Sequence, residues 1–210
     1  MSDDALRAAV LALNARYLEE FVEAFNVCPF AKRCRESGKL AREVFTQSEP
    51  DAAPLVAWAR ALAPTSAEVA LAIFPRLTLG ERALHRFCAA FSEAHAADQG
   101  GRAVFYAVTF HPDAKLDLAT PDRLVPFLRR SPHRTIQLVR ASLLDAVRGG
   151  DVGKRFATTF DAAKALPPES RVSAGIGEAN LDTVHREGPA KLAALLDGLR
   201  VAAERMTDKS

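Results

Sequence analysis

Apolar residues recur at every third or fourth position near the start of the chain, and this spacing places them on one face of an α-helix. The stripe predicts a long amphipathic N-terminal helix, and it comprises Leu6, Val10, Leu13, Tyr17, Phe21 and Phe25. A second long stripe predicts a C-terminal helix, and it comprises Leu192, Leu195, Leu196, Leu199 and Met206. Between them, turn and capping residues predict shorter helices that open at Asp51 and Pro54, at a Thr78–Glu81 capping box, at Thr120-Pro121 and at Ser142.

Short apolar runs between these helices predict strands at 43–46, 69–74, 103–110 and 135–139, of which 103–110 has the strongest pattern. The segment from 150 to 180 is ambiguous, with a helix expected over 156–166 and a stop at Pro167-Pro168. Strands that alternate with helices indicate one α/β (or α+β) domain over residues 1–210, built on a mixed sheet of about four helix-covered strands. The 24 residues between Phe110 and Thr135 permit a parallel crossover, but we favour strand 135–139 antiparallel to strand 103–110 because the helix between them is short.

Composition narrows the function without naming it. With 49% hydrophobic and 26% charged residues, the chain has the profile of an ordinary soluble protein. Its formal net charge of +2 is too small to indicate nucleic-acid or membrane binding, and no apolar run approaches the ~20 residues that span a bilayer. Three cysteines, an odd number in a chain of this length, do not indicate a disulfide framework, and the acidic start is unlike a secretory signal. We therefore expect a cytoplasmic protein.

Cys28 is the first candidate for chemistry. It precedes Pro29, and the pattern predicts a short helix over 29–37 that stops at Gly38 in the left-handed conformation. As the N-cap of that helix, Cys28 would lie where backbone N–H groups favour a thiolate. The alternative is a small buried side chain, because cysteine is among the most buried residue types.

Two further candidates lie at the ends of predicted strands. His111 and Asp113 follow the strongest strand directly, where α/β proteins usually bind ligands, although His-Pro-Asp is also an ordinary turn. The basic turn, residues 129–134, contains Arg130, Ser131 and His133 and suits the recognition of carboxylate or phosphate groups. A solvated turn is the alternative there.

The motifs NxCPFA at 26–31, FHPD at 110–113, RSP at 130–132 and T-[IL]-x-L-[LV]-R at 135–140 together resemble the DUF1415 family of bacterial proteins. Their order and spacing agree from about residue 15 to residue 148, with a weaker match at Asn180, Leu181 and Gly188. The resemblance implies a shared site but no activity, because the family has no assigned function. The chain departs from the family pattern at His133-Arg134, where Tyr-Pro is usual, and at Gln137, where histidine is frequent.

These observations lead to three hypotheses. The first is an enzyme of unknown class that acts on a small anionic substrate by thiol-dependent transfer, hydrolysis or redox chemistry. Its catalytic residues would be Cys28, His111 and Asp113, and its substrate-binding residues would be Asn26, Lys32, Arg130, Ser131 and His133. The second is a non-catalytic module whose basic turn recognises an anionic molecule or an acidic protein segment. The third, a metal site at Cys28, His111 and His133, has no ligand spacing to support it, and no cofactor is indicated.

Overall fold

Four strands pair into one mixed sheet in the order β1-β2-β4-β3. In the computed structural model, which describes residues 1–28, 31–143 and 171–207, β1 pairs with β2 in parallel, and β4 runs antiparallel to both β2 and β3. The mixed sheet and the antiparallel β3–β4 pair confirm the expectations from the sequence. The strands are β1 (Leu40–Val44), β2 (Val69–Phe74), β3 (Phe105–Phe110) and β4 (Arg134–Arg140).

The long N-terminal helix is confirmed, and it continues into a π-helical segment over Leu18–Glu23. Its first turn is capped by the Ser2 hydroxyl, which accepts a hydrogen bond from the backbone N–H of Ala5. The helices in the described residues are α1 (Asp3–Tyr17), α2 (Ala31–Glu36), α3 (Ala53–Leu62), α4 (Glu81–Asp98), α5 (Pro121–Leu128), α6 (Arg171–Glu187) and α7 (Pro189–Thr207).

Each face of the sheet buries its own apolar cluster, because successive side chains of a strand point to opposite faces. On one face, Leu71 and Ile73 of β2 pack with residues of α1, the π-helical segment and α7. On the other face, Ala70, Ala72 and Phe74 of the same strand pack with residues of α3 and α4. We call these the α1-side and α4-side clusters. The resulting fold is α+β, with helices covering both faces of the sheet.

Two predicted features differ from the structure. β1 begins at Leu40 and not at Glu43, because Arg42 interrupts the apolar pattern while its guanidinium donates to Leu11 O and Asn14 Oδ1 at 3.3 and 3.4 Å. The prediction of a capping box that starts at Thr78 is wrong. The N-cap of α4 is Gly80, which has no side chain to accept a hydrogen bond from the first turn.

The α2 helix begins at Ala31, whose N–H donates to Cys28 O at 3.1 Å. The stop at Gly38 is confirmed, with φ at +69° and a bond of 2.8 Å from Lys39 N to Cys34 O that closes the helix end. The expected helix over 156–166, its stop at Pro167-Pro168, and most of the helix expected from Ser142 lie outside the described residues. Within the described ranges, no helix has the length and apolar character that a membrane crossing requires.

Candidate functional site

The end of β3 and the basic turn meet at one end of the sheet. Antiparallel pairing places Phe110 opposite Thr135, so His111 and residues 129–134 leave the sheet at the same edge. The backbone N–H of His111 donates to Arg129 O at 3.2 Å, which joins the two stretches directly. His111 and the basic turn therefore lie next to each other, as the predicted antiparallel pairing implies.

The imidazole of His111 is buried, and both of its nitrogens are engaged. Its Nδ1 accepts the backbone N–H of Asp113 at 3.1 Å, so the proton resides on Nε2, which donates to Leu79 O at 3.0 Å. The carboxylate of Asp113 is 62% exposed and lies 3.9 Å from the same Nδ1. His111 in this state anchors the turn, and neither nitrogen is available to exchange a proton with a ligand.

The side chains of three predicted substrate-binding residues in the basic turn are buried or bonded to other parts of the protein. Arg130 donates through Nε to Pro112 O at 2.8 Å and forms an ion pair with Asp197 of α7. The hydroxyl of Ser131 is buried and donates to His133 O. The imidazole of His133 is also buried, and burial, with a smaller contribution from Arg134, lowers its pKa to about 4. His133 is therefore neutral near pH 7.

Arg129 was not among the predicted site residues. Its guanidinium N–H groups remain able to donate to a ligand. Its side chain extends to α4, where it interacts electrostatically with the His85 imidazole and the Cys88 thiol. Burial lowers the pKa of its guanidinium, and no carboxylate or other hydrogen-bond acceptor reaches that guanidinium from the described residues. A partly buried cation whose donors have no protein acceptor is the chemistry of an anion site.

A short row of polar side chains continues from Arg129 along the α4-side face. Thr109 Oγ1 lies 3.1 Å from His85 Nδ1, and burial is the largest of the causes that lower the pKa of His85. His111 and Arg134 follow, joined by the carbonyl of Leu79, which accepts from both. We call Arg129, Arg134, His85, Thr109 and His111 the sheet-end site. Two carboxylates lie near this site: Asp113 interacts with Arg134, and Glu81 interacts with His85 and raises its pKa against the larger effect of burial. No carboxylate among the described residues interacts with the Arg129 guanidinium, which therefore supplies the positive charge that is not offset.

Cys28 lies on the other face of the sheet. It is partly buried and packs against the α1-side cluster, whereas the bonds of His111 run toward Leu79 on the α4 side. The structure therefore does not bring Cys28 and His111 together. Asn26, two residues before Cys28, is exposed and has φ at +49°.

Lys32 lies apart from the sheet-end site. Its ammonium is 4.0 Å from Glu36 of the same helix and is 66% exposed. With Arg33, Glu36 and Ser37 it lines an open depression of about 520 Å³. Every residue of this depression belongs to α2 or its end, so Lys32 contributes nothing to the anion-binding donors near β3.

The residues that sequence reasoning missed are Arg129 as the principal donor, His85 and Thr109. The spacing of His85 along α4 indicates only a helix position, and Thr109 is a typical strand residue. Their proximity depends on α4 packing across β3. The one available signal was the inward alternation of β3, which places Phe105, Ala107 and Thr109 on the same buried face as His111.

Metal binding is not indicated by the side chains that the structure describes. Within residues 1–28, 31–143 and 171–207, no group of three or more His, Cys, Asp or Glu side chains is arranged to hold an ion. His133 is neutral, but it lies among buried groups of the basic turn, and Cys28 is on the opposite face of the sheet from His111.

The fold and the site define an α+β protein with two arginines, Arg129 and Arg134, at one end of a mixed sheet. The sequence pattern of a family described as "Protein of unknown function (DUF1415)" matches residues 9–150. The match covers more than half of the chain, and the protein belongs to this family. No curated protein and no solved structure matches the chain.

Proposed function

We propose that this protein binds a small anionic ligand at the sheet-end site, through an oxyanion group such as a phosphate or a carboxylate. The observation that carries the proposal is the guanidinium of Arg129, which is partly buried and has no acceptor among the described side chains and carbonyls. Donors of a partly buried charge that have no protein acceptor are left to water or to a ligand.

The neighbours of Arg129 support an anion over a cation. Burial lowers the pKa of His85, Arg129 adds to this effect and Glu81 opposes it, and the imidazole interacts with the hydroxyl of Thr109. An imidazole N–H and a hydroxyl can both donate to an oxyanion. Arg134 adds a second guanidinium, and within the described part of the chain its Nε donates to Leu79 O while its two terminal nitrogens have no acceptor. A planar guanidinium presents its N–H groups in a fork that matches two oxygens of a phosphate or carboxylate.

The thiol-dependent enzyme remains a second proposal, with a different site. One pocket formed by Cys28, His111 and Arg130 is not supported, because Cys28 packs on the α1 side while both nitrogens of His111 are engaged at the other face. The guanidinium of Arg130 is itself paired with Asp197. Chemistry at Cys28 would therefore need other partners.

We also propose that the protein acts in the bacterial cytoplasm. Its three cysteines are in the thiol form, which suits a reducing compartment. The bacterial part of this proposal is what the resemblance to the family implies.

Isothermal titration calorimetry with inorganic phosphate tests the anion site directly, with sulfate and acetate as comparison anions and chloride at equal ionic strength. We expect Arg129→Gln to weaken phosphate binding about 10-fold to 100-fold, since a charge-assisted hydrogen bond contributes roughly 1.5–3 kcal/mol. Arg129→Lys keeps the charge and loses the fork, so its affinity should be intermediate.

Arg102→Gln is the matched control, because Arg102 is an exposed arginine near the opposite end of β3. It should bind phosphate with the affinity of the wild-type protein. Equal phosphate affinity in wild-type protein and Arg129→Gln, or heat of binding lost equally in both arginine variants, would show that the anion is bound by general surface charge and would overturn the proposal.

A further inference from the structure

A second polar position lies on the opposite face of the sheet, at the end of α1. The side chain of Tyr17 is 3% exposed, and its hydroxyl has no hydrogen-bond partner among the described residues. Buried hydroxyls are normally paired, so an unpaired one in a native protein needs an explanation. The ring itself is well packed, because it stacks on Phe21 with the centroids 5.9 Å apart.

Cys28 interacts electrostatically with this hydroxyl. Burial raises the pKa of Tyr17, and the negative charge of a Cys28 thiolate raises it further. The phenol is therefore protonated near neutral pH and is able to donate a hydrogen bond. Both side chains pack within the α1-side cluster, and Cys28 is the more exposed of the two.

The backbone around Cys28 is held in an unusual shape. The π-helical segment Leu18–Glu23 follows Tyr17 directly, and Val27 N donates to Val22 O at 2.9 Å. Asn180 of α6 is buried and donates through Nδ2 to Val27 O at 3.2 Å. Asn26 completes the turn with its positive φ. Segments with π-helical bonding are frequent at functional sites, and here the segment lies between Tyr17 and Cys28 in the chain.

We propose that Tyr17 and Cys28 line a subsite for an uncharged small molecule that presents a carbonyl oxygen to the Tyr17 hydroxyl and rests against the Cys28 sulfur. This subsite is separate from the sheet-end site and does not depend on it. The ligand is uncharged because the surrounding residues are apolar. The cluster around Tyr17 includes Leu13, Leu18, Phe21 and Val22, and a carboxylate there would be desolvated.

Alkylation of Cys28 by two small reagents tests this inference. Iodoacetamide is neutral and has a carbonyl oxygen, whereas iodoacetate has nearly the same size and is an anion. In both reactions the sulfur forms a bond to carbon, iodide leaves, and the thiol proton passes to solvent. Mass spectrometry of the digested full-length chain measures the rate at each cysteine, and the buried Cys34 and Cys88 serve as internal controls for unfolding.

We expect Cys28 in the folded protein to prefer iodoacetamide over iodoacetate about tenfold more strongly than the same cysteine does in urea. Tyr17→Phe should lower the iodoacetamide rate about 2-fold to 10-fold and leave the iodoacetate rate unchanged, as expected for the loss of one neutral hydrogen bond. Acetamide, which carries the carbonyl group but cannot alkylate, should slow labelling by iodoacetamide in the wild-type protein only.

Two results would overturn the subsite. One is a Cys28 that neither reagent labels faster than Cys34 or Cys88. The other is a reagent preference that Tyr17→Phe leaves unchanged while the urea midpoint shows a folded variant. Arg129→Gln provides an independent control, because it should weaken phosphate binding at the sheet-end site without altering the labelling of Cys28.

Discussion

Replacing Arg129 by methionine separates a ligand-binding residue from a structural one. Methionine keeps an unbranched stem of similar length, so packing against α4 is retained while the charge is removed. Hydrogen bonds made by the backbone at Arg129 are unaffected, including the one from His111 N to Arg129 O. The change therefore tests only the guanidinium.

The magnitude follows from two opposing effects. A charged group that is partly buried without an acceptor costs about 1–3 kcal/mol in unmade hydrogen bonds. Arg129 is the C-cap of α5, where the helix dipole stabilises a cation by about 0.3–1 kcal/mol. The difference predicts that Arg129→Met raises the free energy of unfolding by about 1 kcal/mol in a buffer without oxyanions.

Urea denaturation in Tris-chloride measures this free energy of unfolding. In phosphate buffer the order of stability of the wild-type protein and Arg129→Met should be reversed. A ligand at 100 times its Kd stabilises the protein that binds it by about 2.7 kcal/mol, so the wild-type chain should become the more stable one. Arg102→Met, at the exposed control position, should change the stability by less than about 0.5 kcal/mol in either buffer. If Arg129→Met loses more than about 1 kcal/mol without oxyanions, Arg129 is a structural residue and the reasoning fails.

Four further substitutions test the surrounding structure. Tyr17→Phe removes an unpaired buried hydroxyl and should raise the urea-derived free energy of unfolding by about 1 kcal/mol; a loss of similar size would mean that the hydroxyl is satisfied. The folded-state pKa of His133, about 4, lies below its ordinary value of 6.5, so this residue's contribution to stability is complete above pH 6.5 and is lost as the pH falls toward 4. The loss amounts to roughly 3 kcal/mol, and urea titrations from pH 7 to 4 should show a shallower decline for His133→Leu; parallel declines would contradict this. Arg130→Met should cost about 1–3 kcal/mol in urea, because it leaves Pro112 O without its donor and removes the pair with Asp197; a neutral change would show that the turn is held otherwise. Gly38→Ala should lower the thermal midpoint through a cost of about 1 kcal/mol from its φ of +69°, since open space surrounds the position; an unchanged midpoint would argue against that conformation in solution.

Most of the sheet was predictable from local pattern. The runs at β2 and β3 are apolar and bounded by turn residues, and the short helix between β3 and β4 favoured their antiparallel pairing, which the structure confirms. The first strand was predicted to begin at residue 43, whereas it begins at Leu40, because Arg42 lies on the buried side of the strand and interrupts the apolar pattern. Its charge is satisfied by Leu11 O and Asn14 Oδ1 on α1, and a local pattern cannot anticipate partners so remote in sequence.

The sequence allowed the location of the site to be predicted, but not which side chains form it. The sequence identified the basic turn and His111 as candidates, and antiparallel pairing placed them at one edge. Which arginine is committed to the fold depends on tertiary contacts: Arg130 meets Asp197 of α7, whereas Arg129 reaches α4 and finds no carboxylate there among the described residues. Cys28 and His111 were joined by chemical plausibility alone. That Cys28 packs against the α1-side cluster, while His111 bonds to Leu79 on the α4 side, depends on tertiary packing that a local pattern does not show.

Diffraction from crystals soaked in selenate measures the central claim most directly, since selenate is an oxyanion whose selenium can be located by anomalous scattering. The account predicts an anomalous peak within hydrogen-bond distance of the Arg129 guanidinium in the wild-type protein, and none there in Arg129→Met. Selenate bound only at other surface arginines, with the Arg129 guanidinium contacting no anion in the wild-type crystal, would contradict it.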